Sequence, residues 1–153
     1  MGATESAITD VLHAVRELHS ATEALFDAVA ERYGINRNDL RCLEIIERDG
    51  PLGPGRLGGL SGFSPAAVTK ILDRLEAAGY VVRRPSLTDR RAQVVEVAAG
   101  HNEWRRAVWQ PVVTEASAVL GSLPDAELRG LAATLQRLAE VNRGQAEGLS
   151  EST

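Results

Sequence analysis

Four arginines lie within nine residues of one another near the middle of the chain, at Arg83, Arg84, Arg90 and Arg91. A guanidinium group keeps its positive charge at physiological pH and forms paired hydrogen bonds to phosphate oxygens. Such a cluster predicts a surface that binds the phosphates of a nucleic acid. The alternative is a solvated loop whose arginines pair with Asp89. Because an acid here would repel phosphate unless it oriented a neighbour, we expect a structural role for Asp89.

A second set of candidate contacts lies on a helix that the sequence predicts between Ser64-Pro65 and Gly79. Serine is a favourable N-cap, proline suits the first helical position, and glycine ends the pattern. The helical period gives as inward positions Val68, Ile71 or Leu72, and Leu75. The small residues at its start allow the backbone to approach a DNA groove, and the candidates for DNA contact are Ser64, Pro65, Ala66, Thr69, Lys70 and Arg74. Arg74 has a second interpretation, because Asp73 and Glu76 can hold it at the protein surface.

The glycine-rich residues 50–62 contain one literal G-x-G-x-x-G, and Asp73 follows where a ribose-binding acid is expected. The glycines of this pattern are Gly53, Gly55 and Gly58. The fingerprint binds a dinucleotide only when a strand precedes the first glycine and a full helix follows the last. Here the preceding DLRCLEIIERDG has a helical pattern, and Leu-Ser-Gly breaks the chain soon afterwards. We therefore favour a short helix over residues 54–60 and no nucleotide site.

No other arrangement typical of an enzyme or a metal site stands out in the sequence. His13 and His19 are six residues apart and do not share a helical face, and His101 has no ligand-like neighbour. The single cysteine, Cys42, excludes an internal disulfide and a CxxC zinc site. Its apolar neighbours favour a small core residue over an oxidant sensor. We expect no catalytic residue, no metal and no cofactor.

The elements that must position the arginines are a helix-turn-helix and a hairpin. A short helix, a glycine-containing turn and a capped helix form a helix-turn-helix. The β-branched runs YVVRRP and AQVVEVA lie on either side of SLTDRR and predict a hairpin. The two together form a winged helix, in which the second helix enters the major groove of DNA and a wing arginine reaches the minor groove. The predicted fold class is mainly α (α+β), a winged helix-turn-helix with a two-stranded wing.

Long amphipathic helices flank this module. Apolar residues recur every three or four positions from Ile8 to Val29, and again from Trp104 to Leu138. Little other chain is present to cover these faces, which favours a two-fold homodimer over an intramolecular helical bundle. We predict a winged module at residues 35–100 and two terminal arms, an N-terminal dimerisation helix at 1–34 and C-terminal dimerisation helices at 101–153.

The charge of the chain supports this division. The formal net charge of −4 taken alone argues against nucleic-acid binding. Divided by position, the net charge is −5 for residues 1–55, +4 for residues 56–91 and −3 for residues 92–153. The positive share is confined to the helix-turn-helix and the wing. With no leader-like start and no apolar run of membrane-spanning length, the expected location is cytoplasmic, with no membrane partner.

The run SPAAVTKILDRLEAAGYVVRRPSLTDRRAQVVEV, residues 64–97, resembles the recognition helix and wing of the MarR family of bacterial transcriptional regulators. The resemblance implies a homodimer that binds a pseudo-palindromic operator in double-stranded DNA as a repressor and is released by a small-molecule effector or an oxidant. The positions that match the family's DNA-binding and wing-shaping residues are Lys70, Arg84, Asp89, Arg90 and Arg91. The chain departs from the family pattern at Val97-Ala98, where a Leu-Thr pair is usual.

Four aromatic residues are candidates for lining an effector pocket between the arms and the winged module: Phe26, Tyr33, Trp104 and Trp109. Core packing is the alternative use of such residues, and the sequence leaves both interpretations open. The alternative for the whole protein is a winged helix that binds other proteins and not DNA. The arginine-rich loop speaks against that alternative, since a protein-binding module does not require it.

Overall fold

The computed structural model describes residues 2–89 and 91–151, in which four helices are followed by one hairpin and two further helices. In chain order the elements are α1 (Ala3–Tyr33), α2 (Arg37–Asp49), α3 (Pro54–Ser61), α4 (Pro65–Ala77), β1 (Val81–Pro85), β2 (Gln93–Val97), α5 (His101–Leu120) and α6 (Asp125–Glu151). The chain divides into two compact units, one that ends at Arg106 and one that begins at Ala107. The fold is mainly α with a two-stranded antiparallel sheet, as predicted.

Capping residues explain where the helices of the winged module begin. The Asn36 side chain accepts a hydrogen bond from the backbone N–H of Asp39 at 2.9 Å and begins α2. The Ser64 hydroxyl accepts one from the N–H of Ala67 at 3.3 Å and begins α4. Gly62, between α3 and α4, has a φ of +77°, a conformation that glycine adopts without strain. These local interactions fix the turn of the helix-turn-helix.

The winged module has a complete apolar core. Helices α2, α3 and α4 contact one another around it, and strand β2 contacts α2 and α3. Its most deeply buried apolar side chains are Leu40, Leu43, Ile46, Leu57, Val68, Leu72, Leu75, Val81 and Val95. The inward face predicted for the second helix is confirmed, and both Ile71 and Leu72 are buried there.

The hairpin pairs Val81 with Val97 at its base and Pro85 with Gln93 at its far end. Leu52 and Val95 exchange two backbone hydrogen bonds, of 3.1 and 2.9 Å, so the segment before α3 lies against β2. The loop of the wing therefore projects from a base that is tied to the helix-turn-helix.

The terminal arms contrast with this core. In α1 the side chains of Ile8, Val11 and Leu18 are each more than half exposed, although they lie on the apolar stripe of the sequence. In the second unit, large apolar side chains are also exposed, among them Val113, Val119, Leu135, Val141 and Leu149. No helix in the described part of the chain has the length and apolar character needed to cross a membrane.

Candidate nucleic-acid interface

The outward face of α4 carries the predicted contact residues. Ser64, Pro65, Ala66, Thr69 and Lys70 are all exposed. The Thr69 hydroxyl donates a hydrogen bond of 3.0 Å to the Pro65 carbonyl oxygen, one turn earlier, and keeps a lone pair for another donor. Lys70 forms no ion pair with any residue that the structure describes. The face is therefore small, polar and positively charged.

Arg74 differs from the other predicted contacts because α2 holds it. Its Nη2 and Nε lie 2.6 and 3.0 Å from the two carboxylate oxygens of Asp39, which is almost fully buried. The hydrogen bonds that the guanidinium donates to this carboxylate raise the pKa of Arg74. The sequence offered Asp73 and Glu76 as the acids that could hold Arg74 at the protein surface. These two partners are wrong, because Arg74 pairs with Asp39, a buried acid 35 residues away in the chain. A buried carboxylate requires such a partner, so Arg74 joins α4 to α2.

Arg83 pairs with the two acids that the sequence offered as possible partners of Arg74. Its Nη2 lies 2.6 Å from Asp73 Oδ1, and its Nη1 donates to Glu76 Oε2. The hydrogen bonds that Arg83 donates to these carboxylates raise its pKa. The pairs tie strand β1 to helix α4 and neutralise the two acids on the outward side of that helix.

Arg84 lies on the exposed side of the hairpin. Its Nε is 2.6 Å from Glu96 Oε1 on the paired strand. Most of the Arg84 side chain remains accessible to solvent. An exposed pair of this kind contributes little to stability and leaves the guanidinium able to exchange partners.

A set of local hydrogen bonds orders the loop of the wing. Asp89 Oδ1 accepts the backbone N–H of Arg91 at 2.9 Å, in agreement with the structural role expected for this acid. The Ser86 hydroxyl accepts the N–H groups of Thr88 and Asp89, both at 3.3 Å. The side chain of Arg91 is exposed and forms no ion pair with the described residues. Arg90 lies outside the described residues.

The ion pairs thus sort the basic residues of the winged module into two groups. Five are each paired with an acid: Arg37, Arg48, Arg74, Arg83 and Arg84. Within the part of the chain that the structure describes, four exposed basic residues of the module form no ion pair: Arg41, Arg56, Lys70 and Arg91. Arg41 and Arg56 were not among the predicted contact residues. The sequence could have identified Arg56, because no acid lies three or four positions away from it on its short helix to form an ion pair.

The four candidate effector residues have different surroundings. Phe26 lies under the guanidinium of Arg37, 5.1 Å from the ring centre. Tyr33 is buried, with ring-centre distances of 5.4 Å to Tyr80 and 5.6 Å to His101. Trp104 is 54% exposed, and Trp109 belongs to the second unit. Tyr33 therefore packs in the core of the first unit, and an effector role for these four residues stays a prediction.

A polar cavity of about 340 Å³ lies between α1 and α2. Its lining residues are Glu23, Phe26, Arg37, Asn38, Arg41 and Glu44. Arg37 pairs with Glu23 at 2.9 Å and with Asp27 at 3.2 Å. Burial, and then the nearby charge of Glu47, raise the pKa of Glu44 to about 7. The cavity therefore combines an aromatic face, a guanidinium and a carboxyl group that changes charge near neutral pH.

A buried cluster that the sequence did not predict joins four elements. His101 Nε2 lies 2.6 Å from Glu47 Oε1, and Arg105 Nε lies 2.9 Å from Glu47 Oε2. The hydroxyl of Tyr80 donates a 2.7 Å hydrogen bond to the carbonyl oxygen of Tyr33. These contacts connect the end of α1, the end of α2, the start of β1 and the start of α5.

Cys42 and the glycine fingerprint both have structural explanations. The thiol of Cys42 is fully buried, and burial raises its pKa, which reduces the reactive thiolate form. The regular element before Gly53 is helix α2, which ends at Asp49, and not the strand that a dinucleotide fingerprint requires. Asp73, the candidate ribose ligand, pairs with Arg83. Among the described residues no group of three or more His, Cys, Asp or Glu side chains could hold a metal ion.

The winged module is similar to a known family of proteins. Residues 35–92, from the cap of α2 to the end of the wing loop, match the model of the MarR family. The chain is 27% identical over 136 residues to YcgE of Bacillus subtilis, an uncharacterised HTH-type transcriptional regulator, covering 89% of this chain and 88% of that protein.

Two solved structures share the fold over most of the chain. RV1404 from Mycobacterium tuberculosis is 25% identical, with a TM-score of 0.65 over 93% of this chain and 95% of that one. A mutant of S. aureus MepR bound to an oligodeoxyribonucleotide is 14% identical, with a TM-score of 0.59 over 86% of this chain and 96% of that one. The described chain thus shares its winged-helix fold with both of these structures.

Proposed function

We propose that this chain, whose residues 35–92 match the model of the MarR family, is a MarR-type transcriptional repressor that binds an operator in double-stranded DNA as a homodimer. The single observation that carries the proposal is the sorting of charges on the winged module. The acids of the segment 56–91 are occupied, because Asp73 and Glu76 pair with Arg83 and the Asp89 carboxylate accepts a backbone N–H. The exposed cations Lys70 and Arg91 are left to attract phosphate.

The two cations lie on the two elements that enter DNA in this fold. Helix α4 presents Ala66, Thr69 and Lys70, short or flexible side chains that suit contact with base edges in the major groove. The wing presents Arg91, and Arg90 by sequence, for the narrower and more negative minor groove. Arg74 is held by buried Asp39, so we assign it to positioning α4, and we assign Asp89 to shaping the wing.

The exposed apolar faces of the terminal arms support a second copy of the chain as the partner. Ile8, Val11 and Leu18 expose an apolar stripe on α1 that a two-fold copy would cover. A dimer would hold two winged modules about 34–36 Å apart, the separation of successive major grooves on one side of DNA. This arrangement matches a pseudo-palindromic operator.

The polar cavity between α1 and α2 is the site that we propose for a releasing ligand. It lies between an arm helix and a helix of the winged module, so a molecule bound there would change how the two are held. We infer that the protein has no catalytic activity and acts in the cytoplasm, since the family and the relatives are transcriptional regulators.

The proposal is tested by selecting a duplex from a random pool with the wild-type protein and titrating variants against it. We expect Arg91→Ala and Lys70→Ala each to weaken binding by about 1–3 kcal/mol, because each removes a charge that contacts DNA. Arg137→Ala, which removes the same charge from an exposed position of α6, is the matched control and should bind as the wild type does.

Two results would contradict the proposal. If the wild-type protein retained no duplex at low salt, the winged helix would have to serve another purpose, and a protein-binding module would become the better account. If Arg91→Ala and Lys70→Ala bound as tightly as Arg137→Ala, DNA would have to lie on another surface of the protein.

A further inference from the structure

The loop of the wing, residues 86–92, carries one large apolar side chain, Leu87. Leu87 has a relative exposure of 104%, whereas the next most exposed large apolar side chain in the described part of the chain, Leu149, reaches 73%. The exposed apolar residues of α1 repeat along a helical stripe that a second copy can cover, but Leu87 lies on no helix. Packing within the chain therefore does not explain a leucine here, and neither does the apolar stripe of the arms.

The backbone on both sides of Leu87 is held in place. The N–H of Ser86 donates to the carbonyl oxygen of Ala92 at 2.8 Å and closes the loop. The Ser86 hydroxyl accepts the N–H groups of Thr88 and Asp89, both at 3.3 Å. These bonds fix the residues before and after Leu87, so its side chain extends into solvent from an ordered turn. An ordered turn loses little further conformational entropy when the leucine contacts a partner.

Two exposed cations precede and follow Leu87 in the hairpin. Arg84 forms an exposed pair with Glu96, and Arg91 forms no ion pair within the described residues. The carboxylate of Asp89 is occupied, because it accepts the backbone N–H of Arg91. The wing thus combines positive charge with one apolar side chain. This combination is complementary to the minor groove of DNA, where phosphates line the rims and base edges and sugars form an apolar interior.

We propose that Leu87 enters the minor groove and inserts between two neighbouring base pairs, which partly unstacks them and bends the operator. This inference rests on the proposed function, in which the wing reaches the minor groove. Apolar side chains that insert from this groove separate neighbouring base pairs and kink the duplex by about 20–90°. The arginines attract the phosphates beside the step, and the leucine replaces part of the lost contact between the bases.

The insertion makes Leu87 a residue that determines specificity without a hydrogen bond to a base. Pyrimidine–purine steps, such as TA and CA, are unstacked and kinked more easily than other steps. The operator should therefore carry such a step where the wing lies, and a stiff A-tract should be disfavoured at the same place. This preference is separate from the base contacts that we propose for α4.

The test uses the full-length protein and a duplex that the wild-type protein selects from a random pool. Permanganate oxidation of unstacked thymines measures unstacking, and energy transfer between dyes at the two ends of the duplex measures bending. We expect the wild-type complex to show reactive thymines at one step in each half-site and a bend of about 20–90°. Leu87→Ala should abolish the reactivity, reduce the bend by about half or more, and raise the dissociation constant by about three- to tenfold.

Further variants and a second duplex serve as controls. Leu87→Met keeps a long apolar side chain and should keep both the bend and the reactivity. Leu149→Ala removes an exposed leucine from α6 and should leave DNA binding unchanged. Because the Leu87 side chain is fully exposed, Leu87→Ala should keep the thermal midpoint within about 2 °C of the wild type. An A-tract in place of the reactive step should weaken binding by the wild type and not by Leu87→Ala.

Three results would overturn the inference. A wild-type complex without reactive thymines, or without a bend, would show that the leucine stays outside the base stack. A Leu87→Ala complex with the wild-type bend and reactivity would mean that another residue deforms the DNA. A weaker Leu87→Ala complex with an unchanged bend would mean that the leucine contacts the wall of the groove only. In all three cases the wild type binds its duplex and the proposed function stands, whereas a wild type that selects no duplex contradicts the proposed function itself.

Discussion

The winged module and the terminal arms use the same kind of amphipathic helix but bury it to different degrees. In α4 every residue of the predicted inward face is buried, down to Leu75 at the centre of the core. In α1 the apolar stripe continues from the buried Val29 back to Ile8 and Leu18, which are more than half exposed. The difference shows that the winged module completes its core within one chain, whereas the arms present apolar surface that a single chain leaves exposed.

The largest effect should come from the core of the winged module. Leu75→Ala removes a fully buried side chain and leaves a cavity, so we expect a loss of about 2–5 kcal/mol in the free energy of unfolding. Urea denaturation followed by circular dichroism measures this loss. An effect below about 1 kcal/mol would indicate that α4 is loosely packed and that the winged module does not complete its core within one chain.

The arms should respond through association. Leu18→Asp places a charge on the exposed stripe of α1. We expect it to lower the free energy of homodimer dissociation by at least about 2 kcal/mol. Sedimentation velocity across a range of protein concentrations measures the dissociation constant. Arg16→Ala, an exposed polar change nearby, is the control. A dimer that tolerated Leu18→Asp would require a different interface.

The pair between Asp39 and Arg74 connects two helices of the winged module and should rank next. Asp39→Asn removes the charge of a buried acid that holds a half-exposed arginine, so we expect a loss of about 1–3 kcal/mol. A double-mutant cycle with Arg74→Ala isolates the energy of the pair. Additive losses would mean that the pair contributes nothing to the free energy of unfolding and that Arg74 is available to contact DNA directly.

The smallest effect concerns Glu44, in the cavity between α1 and α2. Its folded pKa of about 7 is above its ordinary value of 4.5. The folded state therefore favours the protonated form, and stability should fall as the pH rises between about 4.5 and 7. Glu44→Gln removes this term, so the variant should gain about 1–2 kcal/mol on the wild type between pH 5 and pH 8. Urea titrations of both proteins at the two pH values measure this gain. A stability difference between variant and wild type that is the same at pH 5 and pH 8 would contradict the raised pKa.

The sequence predicted those parts of the structure that local interactions determine. Ser64-Pro65 begins α4 as predicted, because a cap acts within one turn of its helix. The β-branched runs beside SLTDRR form the predicted hairpin. The inward face of α4 followed from its helical period, since that period depends on the order of residues alone.

The pairing of charges could not be predicted, because it depends on which elements are neighbours in space. The period of α4 placed Arg74 outward but did not identify Asp39 on α2 as its partner. His101 pairs with Glu47, 54 residues away, for the same reason. These long-range pairs decide which arginines remain available for phosphate, and so they change the ranking of contact residues within the predicted interface.

We propose that the exposed cations of the winged module bind DNA phosphates. The salt dependence of the binding constant tests this most directly. The affinity of the wild-type protein for its selected duplex is measured by fluorescence anisotropy at several salt concentrations. We expect the logarithm of the binding constant to fall linearly with the logarithm of salt, with a slope whose magnitude drops by about 1 in Arg91→Ala. A binding constant that does not change with salt would contradict the account.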